Sequence, residues 1–177
     1  MAKNDILLAG FGGQGILFSG KLLAYIGLMG GKEVSWLPSY GPAMRGGTCN
    51  CSVVISDEPV GSPLITVPEI LFVMNGPSFQ KFIPTVAPGG KAFVDSTLID
   101  DTNSRTDIEI FRLPATSLAM EHELKGAANI ILLGKLLKET GIADNETIRK
   151  AIAKVVPASK AHLIDSNMKA IELGQTA

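Results

Sequence analysis

Near its start the chain carries Gly10-Phe11-Gly12-Gly13-Gln14-Gly15, a stretch that offers backbone groups more than side chains for chemistry. Gly10, Gly12 and Gly15 keep a G-x-G-x-x-G spacing directly after a predicted strand and at the mouth of a predicted helix. In that setting glycines permit a tight turn and a close approach of the backbone to a ligand. A helix start also presents unpaired N–H groups and partial positive charge, which suits an anion. A complete dinucleotide site needs in addition a carboxylate at the far end of the second strand, to take the ribose hydroxyls. Here that end reads Leu37-Pro38-Ser39, and Glu33 falls at the start of the strand, on the wrong side of the sheet. Three readings stand for Gly10, Gly12, Gly13, Gln14 and Gly15: a nicotinamide or flavin site, contact with another anion or ligand, or close packing and subunit contact.

The second stretch is Ser39-Tyr40-Gly41-Pro42-Ala43-Met44-Arg45-Gly46-Gly47. Its prolines and glycines prevent any regular element from persisting, so a long shaped loop is expected. Arg45 stands beside permissive glycines at the carboxyl edge of a predicted parallel sheet, where its planar fork can meet a carboxylate or phosphate. It can equally pair with an acidic residue or carbonyls of its own loop.

Other candidates read as structural. Cys49 and Cys51 place two thiols on one face of a strand, but no further soft ligand stands near them, so they are expected in the core. His122 and His162 are expected at the surface, and Asp95 is expected to cap the turn that begins at Ser96 and Thr97. No nucleophile elbow, phosphate-binding Walker motif or zinc spacing is present.

The elements that must position these residues follow from periodicity. Residues 4–9 predict a buried strand, 16–29 a helix apolar on nearly every face, and 33–37 a second strand, a unit that implies a parallel pair. Residues 48–56 alternate and predict a strand with one less buried face; 70–75, 91–96 and 108–113 predict three more. A helix is expected over 78–87, and residues 100–107 are expected as exposed loop. The last sixty or so residues are expected to be helical, over 116–124 and 127–140, with Gly141 as a stop, Asp144 capping a further helix, and Ser159 capping a final helix ended by Gly174. The expected fold is α/β, three-layer α/β/α, with a Rossmann-like, mostly parallel sheet, a helical C-terminal part and a single domain over 1–177.

Composition narrows the function classes. With 177 residues and 46% hydrophobic content, the chain can bury one sizeable core. A net charge of −1 with unclustered Lys and Arg argues against a nucleic-acid partner. The apolar run over 6–30 is interrupted by glycines, Gln14 and Lys21, so neither a signal peptide nor a membrane span is expected. Two cysteines fit free thiols in a reducing cytoplasm.

Taken as a pair, the glycine loop and the Ser39-Tyr40-Gly41-Pro42 and Arg45-Gly46-Gly47 segment closely resemble the gamma subunit, or gamma domain, of 2-oxoacid:ferredoxin oxidoreductases. The resemblance continues through Asn50-Cys51-Ser52-Val53, Gly126-Ala127-Ala128-Asn129 and Leu133-Gly134 to Asn167 and Gly174, across essentially the whole chain. It implies a subunit of an enzyme that decarboxylates a 2-oxoacid oxidatively with coenzyme A, uses thiamine diphosphate, magnesium and iron–sulfur clusters, and reduces ferredoxin. The sequence contains no Gly-Asp-Gly segment for the thiamine diphosphate magnesium and too few cysteines for a cluster, so this chain alone is expected to bind no cofactor. Alpha and beta subunits, with a ferredoxin-like delta subunit, are the implied partners; the glycine loop, Ser39, Tyr40, Arg45, Gly46 and Gly47 are the expected ligand or subunit contacts. The approach Trp36-Leu37-Pro38 resembles the enzymes of 2-oxoglutarate more than those of branched-chain 2-oxoacids or pyruvate. One departure stands out: Ala43 occupies a position where the family loop commonly has an acidic residue, which either frees Arg45 for a ligand or changes the loop's internal contacts. The rival expectation is a freestanding NAD- or FAD-binding Rossmann module.

Overall fold

Ile6, Leu7, Leu8 and Ala9 are all buried, although neighbours in a strand face opposite ways, so the first strand must be covered on both sides. The structure is a computed structural model, and it describes residues 3–39, 48–100 and 105–177. That first strand, β1 (Lys3–Phe11), is central in a six-stranded sheet, followed by helix α1 (Ile16–Met29), β2 (Glu33–Ser39) and β3 (Thr48–Ser56). Next come β4 (Ile70–Val73), α2 (Gly76–Phe82), β5 (Lys91–Asp95) and β6 (Glu109–Leu113), and then the helices α3 (Ala115–Glu121), α4 (Ala128–Thr140), α5 (Asn145–Val155) and α6 (Leu163–Thr176).

Strand order is β2-β3-β1-β4-β5-β6. β1, β4, β5 and β6 pair in parallel, whereas β3 runs antiparallel to both β1 and β2. The expected parallel pair of β1 and β2 is therefore corrected. The two strands do point the same way, but β3 lies between them and holds them two spacings apart, about 9–10 Å. Its nine residues are in register with β1 from Ser56 opposite Lys3 to Thr48 opposite Phe11.

Two cores of unequal depth flank the sheet. On one face Ile6, Leu8, Cys51, Val53, Phe72 and Phe93 pack beneath α1 and the four C-terminal helices. On the other, Leu7, Leu71, Val73 and Val94 pack with Phe79 and Phe82 of α2, Ile83 and Val86 of the turn after it, and Ile99 and Ile108. Each fully buried Leu, Ile or Phe contributes roughly 1.5–3 kcal/mol, so the deeper core carries most of the stability. Among the described residues no helix is long and apolar enough to cross a membrane.

The C-terminal helices form as expected at two ends. Gly141 closes α4 in the left-handed region at φ 63°, and the Asp144 side chain accepts from the Thr147 N–H at 2.8 Å. Two expected ends move. Ser159 lies in a 3-10 turn, Ala158–Lys160, and α6 starts after His162 with no side-chain cap. Gly174 ends nothing: it sits inside α6, where a Cβ would overlap the carbonyl of Ile131 on α4. Gly134 on α4 faces the Ile171 carbonyl on α6 in the same manner, so the two glycines are where these helices touch backbone to backbone. The helix expected over 78–87 is displaced to α2, because Asn75 caps it, with Pro77 in its first turn. Its continuation tightens to a 3-10 turn, Ile83–Thr85, in which Pro84 has no N–H to donate.

Candidate functional site

The glycine loop leaves β1 at the carboxyl edge of the parallel strands and turns straight into α1, the edge at which α/β sheets bind ligands. Gly15 precedes the helix with φ 75°, a left-handed value, and a Cβ there would collide with the Asn129 side chain. Gly13 has φ 96°, and among the described residues nothing stands within 4 Å of where its Cβ would be. Phe11, Gly12 and Gly13 form the exposed tip, Gly10 is buried below it, and Gln14 is half-buried. The first turn of α1 holds no acidic residue and no side-chain cap, so its N–H groups keep their partial positive charge.

Two side-chain amides fix this loop. The Phe11 N–H can only donate and the Met74 carbonyl can only accept, which orients Gln14: its Oε1 accepts from Phe11 at 2.7 Å and its Nε2 donates to Met74 at 2.9 Å. Gln14 thereby ties the loop to the end of β4 and is occupied in doing so. Asn129, buried in the first turn of α4, donates from Nδ2 to the Gly15 carbonyl at 3.1 Å and to the Ser19 hydroxyl at 3.0 Å. Among the expected contacts, Gln14 and Gly15 thus shape the loop, while Gly12 and Gly13 present backbone to the outside.

Ser39 lies exposed at the end of β2, opposite Asn50, and Thr48 opens β3 opposite Phe11. Ser39 and Thr48, which bracket the intervening residues, therefore sit on the glycine loop's edge of the sheet. Tyr40, Ala43, Arg45, Gly46 and Gly47 themselves lie outside the described residues. On the thinner face a groove of about 390 Å³ opens below Ser39, lined by uncharged residues that include Leu37, Asn50, Ser52, Leu64 and Phe82.

This arrangement does not complete a dinucleotide site. The strand beside β1 on the α1 side is β3, which runs the wrong way, and the uncharged Ser39 end of β2 is a further strand removed. No carboxylate from β2 stands where ribose hydroxyls would require one.

The remaining candidates are structural. Asp95 is fully buried and accepts from the Thr97 N–H at 3.1 Å, closing the expected turn. It also accepts from the Thr116 N–H at 3.3 Å and the Thr116 hydroxyl at 2.5 Å, which pins α3 to β5. Cys49 and Cys51 are buried on one face of β3; burial pushes the Cys51 thiol up to about 12, and its Sγ–H points to the Ile16 carbonyl at 3.8 Å. His122 and His162 are exposed at helix ends. Among the described residues no group of three or more His, Cys, Asp or Glu gathers to hold a metal ion.

Two contributors had no readable role in the sequence. Asn75 caps α2 by accepting from the Ser78 N–H at 2.8 Å, for which the following Gly76-Pro77 was the available signal. Asn129 stood in a recognisable run, Gly126-Ala127-Ala128-Asn129, but its acceptors are 114 and 110 residues away.

Comparison with known proteins agrees with the fold. The family model described as pyruvate ferredoxin/flavodoxin oxidoreductase matches residues 5–177. Ketoisovalerate oxidoreductase subunit VorA of Methanothermobacter thermautotrophicus is 41% identical over 96% of this chain, yet the chain spans only 35% of that protein's length. 2-Oxoglutarate synthase subunit KorC of Methanocaldococcus jannaschii is 37% identical over 88% of this chain and 84% of its own. The crystal structure of a keto/oxoacid ferredoxin oxidoreductase gamma subunit from Geobacter sulfurreducens superposes with a TM-score of 0.85 at 27% identity, covering 99% of this chain and 96% of that one.

Proposed function

The chain belongs to the pyruvate ferredoxin/flavodoxin oxidoreductase family, and from that premise we propose that it serves as the gamma unit of a 2-oxoacid:ferredoxin oxidoreductase, joining alpha and beta subunits and a ferredoxin-like delta subunit in the cytoplasm. The observation that carries the reading is the shared edge: a preorganised glycine loop, Ser39 and Thr48 lie on the edge where an α/β sheet contacts its ligand or neighbour. Gly12, Gly13, Ser39, Tyr40, Arg45, Gly46 and Gly47 would line an inter-subunit surface beside the coenzyme A or 2-oxoacid path.

Residues here do not fit the enzyme's other groups. Cys49 and Cys51 are too few for a cluster, and both thiols are pushed up by burial, so they resist becoming the thiolates a cluster needs. No Gly-Asp-Gly segment offers magnesium ligands for thiamine diphosphate. Decarboxylation and electron transfer would then take place on the partner chains, with this chain shaping access.

We take the substrate as 2-oxoglutarate, in keeping with the KorC relative, whose length this chain largely spans. A second reading, a branched-chain 2-oxoacid, is favoured by the higher identity to the ketoisovalerate relative. Co-purification with its partners, followed by coenzyme A-dependent ferredoxin reduction on a panel of 2-oxoacids, tests both. Arg45→Ala should leave assembly intact and lower kcat/KM by about tenfold or more, the worth of a charge-assisted hydrogen bond. Unchanged activity in an intact R45A complex, or full activity in a complex lacking this chain, would overturn the proposal.

A further inference from the structure

The run Gly126-Ala127-Ala128-Asn129 belongs to no surface that the proposed function uses, yet it ends in a buried polar side chain aimed at the glycine loop. We propose that Asn129 is a positioning residue of that loop: its amide sets the loop's shape from the helical layer, and so sets the contact Gly12 and Gly13 make in the assembled enzyme. This inference rests on the reading that the loop faces the coenzyme A or 2-oxoacid path.

The chemistry of the contact is specific. The Gly15 carbonyl and the Ser19 hydroxyl lie four residues apart on α1, and one nitrogen donates a proton to each, at 3.1 and 3.0 Å. A carbonyl accepts only, so a carboxylate of the same size at position 129 could not replace the amide there. Gly15 completes the fit from the other side, because any Cβ on it would displace Asn129. Gln14, beside Gly15, ties that flank to Met74 at the end of β4 and holds the other through the Phe11 N–H, which leaves Gly12 and Gly13 as a short span held at both ends. Preorganised backbone of this kind is what a binding loop needs, since ordering it at the moment of binding would cost affinity. Asn129 touches no reacting group itself; it acts through Gly15 and Ser19.

Asn129→Asp in the full complex, with hydrogen exchange and steady-state kinetics, provides the test. Peptides covering residues 10–19 should exchange about three- to tenfold faster, as the loss of one or two hydrogen bonds predicts, while peptides from α5 and α6 keep their protection. KM for coenzyme A or for the 2-oxoacid should rise severalfold with kcat within about twofold, the signature of a displaced binding contact. Ser19→Ala, which removes one acceptor and keeps Asn129, should move both readouts in the same direction by less, and it serves if the Asp variant does not assemble. Unchanged exchange over 10–19, or faster exchange spread equally through the C-terminal helices, overturns the positioning role. A loosened loop with wild-type KM and kcat overturns instead the reading that the loop faces the reaction path.

Discussion

Glycine does opposite work in two regions of this molecule. At the crossing of α4 and α6, Gly134 and Gly174 lie against the Ile171 and Ile131 carbonyls of the facing helices, and what matters is the room a side chain would take. In the loop after β1, a Cβ on Gly13 would meet no atom of the described residues within 4 Å and φ is 96°, so what matters is conformation and exposed backbone. The same residue type is therefore a packing device in one place and a presenting device in the other. The difference lies in what surrounds each glycine, which a linear sequence does not display.

Substitutions can break or sharpen that contrast. Gly174→Val should have the largest effect on stability: forcing a branched side chain onto a backbone carbonyl costs about 3 kcal/mol, well beyond the ~1 kcal/mol or less that a non-glycine residue gains in helix propensity. The net loss of about 2 kcal/mol should lower the melting temperature by roughly 4–8 °C, with activity per folded complex retained. Gly15→Ala comes next, since it combines left-handed strain of about 1–2 kcal/mol with displacement of Asn129, and it should reduce both melting temperature and activity. Gly13→Ala should be mildest for stability, about 1 kcal/mol, because its surroundings are open, while coenzyme A-dependent activity falls. Activity loss in the Gly174 variant without destabilisation, or a Gly13 variant that melts early and works normally, would erase the distinction.

Much of the fold was legible because burial imposes periods on the sequence. The continuous apolar run over 6–9, the helical spacing closed by Gly141 and that capped by Asp144 read directly. The insertion of β3 did not. Alternation of Cys49, Cys51 and Val53 with Asn50 and Ser52 showed one poorly covered face, but the choice of neighbour is set by long-range pairing, about which alternation is silent. Gly174 was misread as a helix end because a glycine that ends a helix and one that lets a second helix approach look alike. The candidate site was legible as two stretches; that Ser39 and Thr48 share the glycine loop's edge followed only once β3 was seen to start opposite Phe11 and to pair with the end of β2. Asn129 was the hidden part, since the only sign of its role is a pair of acceptors more than a hundred residues earlier.

Among the described residues, the side-chain stitches that hold the glycine loop are neutral: two side-chain amides meeting backbone N–H and C=O groups and one hydroxyl. None of these groups gains or loses a proton near neutrality, and neutral bonds this short are little screened by dissolved ions. Acidity and ionic strength thus have little handle on these four bonds, which stay set while charged contacts elsewhere come and go. A pH or salt dependence of the assembled enzyme would then report on Arg45, on the partner chains or on their approach to one another, and not on this turn.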